Sequence, residues 1–161
     1  MIRDRIRQFR EATVAPRDED FALARQWLEG PLLELFEAQH PRDIVHAANT
    51  ARWLLTRGYD NRDLIQAALL HDIGKGHQRR FDRVVYVLAD SIGLSGFLAN
   101  PDSRFELRRA VSRSRTHSAS GAELLRQAGA PERVIELTAR HHEPPRGDGV
   151  LALLQQADAA S

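Results

Sequence analysis

Apolar residues recur at intervals of three and four along nearly the whole of this 161-residue chain, and alternating runs of β-branched residues are almost absent. That periodicity predicts an all-α, single-domain helical bundle. Proline and glycine punctuate it at Gly30-Pro31, Pro41, Gly58, Gly74, Pro101, Pro131 and Pro144-Pro145. The expected helices cover 2–12, 18–30, 31–37, 41–58, 61–73, 79–93, 102–113, 117–129, 131–142 and 148–160. Residues 1–40 read as an N-terminal helical extension packing on a core domain of 41–161.

A hydrophobic fraction of 42% and a charged fraction of 28% suit an ordinary globular domain and argue against a disordered or fibrous chain. Cysteine is absent, which excludes disulfides, thiolate catalysis and thiolate zinc sites, so any metal must be held by nitrogen and oxygen. The N-terminal stretch Met1-Ile2-Arg3-Asp4-Arg5-Ile6-Arg7 lacks the apolar core of a signal peptide, and no later stretch is long enough to span a bilayer. The reading is therefore a cytoplasmic protein with no membrane partner. A net charge of +1 gives no case for binding a nucleic-acid duplex. The arginine runs at 79–83 and 104–115 read as solvated helix faces.

Chemistry concentrates at Leu69-Leu70-His71-Asp72-Ile73-Gly74-Lys75, where an imidazole and a carboxylate stand side by side after an apolar run. Lys75 is the only lysine among 23 basic residues. On a helix, residues three, four and seven apart share a face. His71 then shares a stripe with Leu64 and Ala67, and Asp72 with Ile65, Ala68 and Leu69. His117 aligns with Gly121, Leu124 and Ala128, and His141 with Val134, Leu137 and Thr138. Asp158 falls on the face of Leu151 and Leu154, where an unpaired carboxylate would cost on the order of several kcal/mol. His46 lies on the flank of its helix beside Thr50 and Trp53, and His142 follows Ile135 and Thr138 toward the side of His141. One inward histidine is ordinarily a hydrogen-bonded core residue; several, with two carboxylates, match the way helical bundles build metal sites. His40 and His77 sit in turn-like text and read as surface residues.

The order His46, His71-Asp72, Asp158 resembles the HD-domain superfamily of metal-dependent phosphohydrolases, particularly its single-domain HDIG proteins, over about residues 41 to 160. The resemblance implies that these four residues hold one metal. His117 and His141-His142-Glu143 are similar to the extra ligands of HD proteins with a binuclear site, such as the HD-GYP phosphodiesterases, in which the doublet aspartate, here Asp72, bridges two ions. After Glu143 the chain has no Gly-Tyr-Pro, which argues against cyclic di-GMP cleavage, and Arg42 stands where some HD-GYP proteins carry a glutamate, which argues against a trinuclear site.

The resemblance implies one or two divalent transition metals per chain (Fe, Mn, Ni, Co or Zn) and hydrolysis of a phosphate monoester, diester or anhydride, with a nucleotide as the expected small phosphorylated substrate. Asp72 and Lys75 are the expected catalytic residues, Lys75 reaching the phosphate because Gly74 ends the helix and turns the chain. Two alternatives remain at this stage: an HD-fold di-iron oxygenase, and a non-catalytic module that binds nucleotide and metal for regulation. No pattern in the sequence specifies the substrate or the oligomeric state.

Overall fold

Side-chain caps fix the start of several of the described helices. The computed structural model describes residues 15–75 and 106–161, the stretch 106–116 as backbone only. The helices expected at 2–12 and 79–93, the arginine run at 79–83 and His77 lie outside the described residues. Seven α-helices follow in order: α1 (Asp18–Trp27), α2 (Gly30–Glu37), α3 (Pro41–Leu55), α4 (Arg62–Leu70), α5 (Glu106–Gln127), α6 (Glu132–Arg140) and α7 (Gly149–Ala160), with a 3-10 turn at Ile73–Lys75 after α4. Among the described residues there are no strands, so the all-α expectation holds. The helices expected at 102–113 and 117–129 are instead one continuous helix, α5, because nothing between them breaks the backbone ladder.

Asn61 opens α4 by accepting the backbone N–H of Leu64 at 3.1 Å. Every residue from Leu64 to Leu70 is buried. A helix buried on every side belongs at the centre of a bundle, and α4 packs against α1, α2, α3, α6 and α7. The largest buried side chains, among them Phe36, Leu54, Ile65, Leu69, Leu125, Leu137 and Leu154, gather around it in one core. The N-terminal helices belong to the same core. Gln66 Nε2 donates to the Trp27 carbonyl at 2.8 Å and Gln39 Nε2 to the Leu69 carbonyl at 3.2 Å. The buried Asp20 carboxylate accepts the Arg17 backbone N–H at 2.8 Å and pairs with the Arg52 guanidinium of α3.

The start of α7 is tied to α6 through one carboxylate. Asp148 caps α7 by accepting the Leu151 backbone N–H at 3.1 Å, and the same oxygen takes Arg133 Nη2 at 2.7 Å. Arg133 and the cap together hold the Asp148 carboxyl below the usual carboxylate range. Its contribution is therefore complete above the ordinary aspartate pKa and lost as pH falls through the lowered folded value. Asp148→Ala should cost about 1 kcal/mol near pH 7, and in urea unfolding the gap from wild type should close below about pH 4. A gap that persists in acid would mean that the carboxylate charge contributes nothing.

Candidate metal centre

The helix that carries the His-Asp doublet stops before the doublet. The helical pattern extends to residue 73 in the sequence, whereas α4 ends at Leu70 and His71 stands at its C-cap. Likewise α6 ends at Arg140, leaving His141 at its C-cap and His142 in the turn beyond. Four candidate ligands, His71, Asp72, His141 and His142, thus sit on turns just past helix ends, not on helix faces. The apolar stripes still predict that His71, Asp72 and His141 are buried, because both C-cap residues keep αR dihedrals and the helical spacing carries on through them.

Gly74 also differs from expectation. It does not adopt the left-handed conformation of a helix-ending glycine; the positive-φ glycines described are Gly30, Gly58, Gly129 and Gly147. Its small size answers to proximity. A Cβ at Gly74 would lie 1.8 Å from the His117 carbonyl oxygen and 2.8 Å from the Gly121 backbone nitrogen. The 3-10 turn rests directly on α5, glycine against glycine, and this brings the buried His117, midway along α5, to face the doublet.

The resulting cluster has two lobes with Asp72 between them. On one side, Asp72 Oδ2 lies 3.5 Å from His71 Nε2 and 3.9 Å from His46 Nε2. Asp158 Oδ1, from α7, stands 2.8 Å from His46 Nε2 and 3.3 Å from His71 Nε2. On the other side, Asp72 Oδ1 lies 3.8 Å from His117 Nε2 and 3.7 Å from His141 Nε2. His142 Nε2 completes this lobe at 2.9 Å from His117 Nε2. Potential ligand atoms group within 4.8 Å of one another in two sets, His46–His71–Asp72 and His117–His141–His142. All seven residues named from the sequence as metal ligands are gathered here, while His40 is exposed at the start of α3, where its ring accepts the Arg42 backbone N–H.

Hydrogen bonding tests whether this set suits a cation. His71 Nδ1 lies 3.0 Å from the Ala68 carbonyl and His141 Nδ1 2.6 Å from the Thr138 carbonyl. A carbonyl only accepts, so each Nδ1 carries the hydrogen and each Nε2 is turned into the cluster. There, His71 Nε2, His141 Nε2 and Asp72 Oδ1 are buried with no hydrogen-bond partner among the described residues. Three buried electron-pair donors facing one another need a positive charge among them. Nitrogen and oxygen donors in this mixture fit a divalent transition metal.

The electrostatics agree. Burial would raise the Asp72 pKa, but the neighbouring His71, His141 and Lys75 outweigh it and hold the carboxyl well below the usual range. Asp158 is held low by His46 and His71 against the same burial penalty. Burial opposes a charge on His71, yet Asp72 and Asp158 outweigh it and raise its pKa, so the surroundings of this ring favour a positive charge. Burial with the neighbouring His141 and His117 pushes His142 down to about 4, leaving it neutral at ordinary pH.

Lys75 Nζ donates to Asp72 Oδ2 at 2.6 Å, and its side chain remains 43% exposed. It lines a cavity of about 340 Å³ with Asp72, His46, Arg42, Asp43, Val45, Asn49 and Ser161. Sequence reasoning missed Asp43 and Asn49. Both lie within one turn of His46, on the flank of α3 that avoids the core, and that flank was the available signal.

The fold and the cluster define a helical domain built around a two-lobed histidine and aspartate centre with the donor set of a metal-binding site. The chain belongs to the HD-domain family, which it matches over residues 40–160. It is also similar to ribonuclease Y of Deinococcus radiodurans, with 30% identity over 112 residues that make up 67% of this chain and 18% of that protein. The chain thus spans less than a fifth of that curated relative's length. No solved structure matched the chain. Among the described residues, no helix is long and apolar enough to cross a membrane.

Proposed function

We propose that this protein is a metal-dependent phosphohydrolase acting on a phosphate ester or anhydride of a nucleotide. The observation that carries the reading is the Asp72 carboxylate, whose two oxygens face different histidine lobes, as a bridging ligand between two ions requires. The relative's name, ribonuclease, adds weight to a phosphodiester among the candidate bonds. His46, His71, Asp72 and Asp158 would hold one ion, and Asp72, His117, His141 and His142 a second. Divalent ions held there supply Lewis acidity toward the phosphoryl oxygens and a water acidic enough to attack near neutral pH.

The chain's own groups do the remaining work. Ala68 and Thr138 fix the two buried imidazoles through their carbonyls, so the donor atoms keep their direction during turnover. Lys75 has three N–H donors; one is spent on Asp72, and the others are available to a phosphate in the cavity it lines. It anchors the bridging carboxylate and adds a point charge where negative charge accumulates.

Purified protein loaded with manganese, iron, cobalt, nickel or zinc in turn should release product from nucleotides or from p-nitrophenyl phosphate esters. Lys75→Met should lower kcat about 100-fold or more while moving Tm by only a few degrees. Oxygen uptake by the iron-loaded protein, with no hydrolysis product from any phosphate substrate, would overturn the proposal. Wild-type turnover in the methionine variant would remove Lys75 from the mechanism.

A further inference from the structure

Among the described residues, the cavity beside the metal centre contains a cation that the folded chain leaves unpaired. Lys75 is paired with Asp72, but the guanidinium of Arg42 has no ion pair or side-chain hydrogen bond among the described residues. Arg42 and His46 are one turn apart on α3 and both line the cavity. A turn rises about 5.4 Å, the order of the spacing between neighbouring phosphates in a nucleotide strand. A planar guanidinium presents two parallel N–H groups to a phosphate, a geometry an ammonium lacks.

Charge decides what kind of phosphate. Arg42 and Lys75 are balanced in the cavity wall by Asp43 and Asp72, so the wall carries no net positive charge of its own. A di- or triphosphate concentrates several negative charges on adjacent phosphorus atoms and would meet the Asp43 carboxylate without compensation. Successive phosphodiesters carry one charge each and are separated by a sugar. They match a single free guanidinium one turn from the metal centre.

We infer that Arg42 is a specificity residue that binds the phosphate next to the scissile phosphodiester, making a short nucleotide strand, rather than a nucleotide polyphosphate, the preferred substrate class. This rests on the hydrolytic reading of the same site. The test compares the dinucleotide pApA, which has a neighbouring phosphate, with bis(p-nitrophenyl) phosphate, which has none, using wild type and Arg42→Gln. The ratio of kcat/KM for pApA to that for bis(p-nitrophenyl) phosphate should fall at least tenfold in the variant, with Arg42→Lys between the two. Calorimetric titration of the chelator-treated full chain gives an independent reading: wild type should bind pApA more tightly than AMP, and Arg42→Gln should remove most of that difference. A ratio that stays constant, with equal affinities for pApA and AMP in wild type, overturns the assignment. Absent turnover with every metal, but with the binding preference present and lost in Arg42→Gln, supports Arg42 and counts against hydrolysis alone.

Discussion

Asp72→Ala should strip the protein of most of its bound metal and reduce phosphate-ester hydrolysis by three orders of magnitude or more, on the order of 4 kcal/mol of transition-state stabilisation. Among the described residues, Asp72 alone has atoms that face both lobes of the cluster, with Oδ2 toward His46 and His71 and Oδ1 toward His117 and His141. Its loss therefore takes a carboxylate oxygen away from both lobes at once, whereas loss of His46 or His142 would affect one lobe. Elemental analysis of protein purified without chelator measures the first effect, and steady-state hydrolysis the second. Asp72→Asn makes a sharper comparison. It keeps the shape and one carbonyl oxygen but removes the negative charge, so it should retain more metal than Asp72→Ala and still lose most activity. If both variants keep the full complement of metal, the carboxylate bridges nothing.

The second large effect is expected at a residue with no functional group. Gly74→Ala places a methyl group 1.8 Å from the His117 carbonyl oxygen and 2.7 Å from its carbon, both backbone atoms that cannot rotate away. Relief requires the 3-10 turn and α5 to separate. Overpacking of this kind costs about 3 kcal/mol, which for a chain of this length lowers Tm by roughly 10 °C. The separation also carries His117 away from Asp72, so the variant should lose metal from the second lobe in preference to the first. Gly121→Ala is the matched control. Its nearest neighbours are 3.3 and 3.4 Å away, so it should be milder in both respects. A Gly74→Ala protein with wild-type stability and metal content would show that the turn and α5 are not in fixed contact.

These two residues mark how far the sequence could be read. The ligand types and their order, His46, His71-Asp72 and Asp158, stand out because imidazole and carboxylate interrupt apolar helical stripes, and the same periodicity predicts the all-α fold. Helix ends are less legible. Leu70 and Arg140 close their helices two or three residues before the pattern of apolar residues runs out, since periodicity continues through a turn in the αR region that still buries its side chains. The contact between Gly74 and Gly121 is a tertiary fact: residues 47 apart in the chain touch backbone to backbone, and the first of them alone resembles a helix stop. Arg42, Asp43 and Asn49 look like solvated helix polarity until the cavity beside them is known.

His71 and His141 are each held by a carbonyl three residues earlier in the chain, one at the end of α4 and the other at the end of α6. Each ring is aimed by its own turn, so the direction of the nitrogen that faces the cluster is settled as soon as that short stretch of backbone forms. An arriving ion then finds these two donors already oriented and has little rotational freedom to quench there, which favours tight capture without any large rearrangement of the protein.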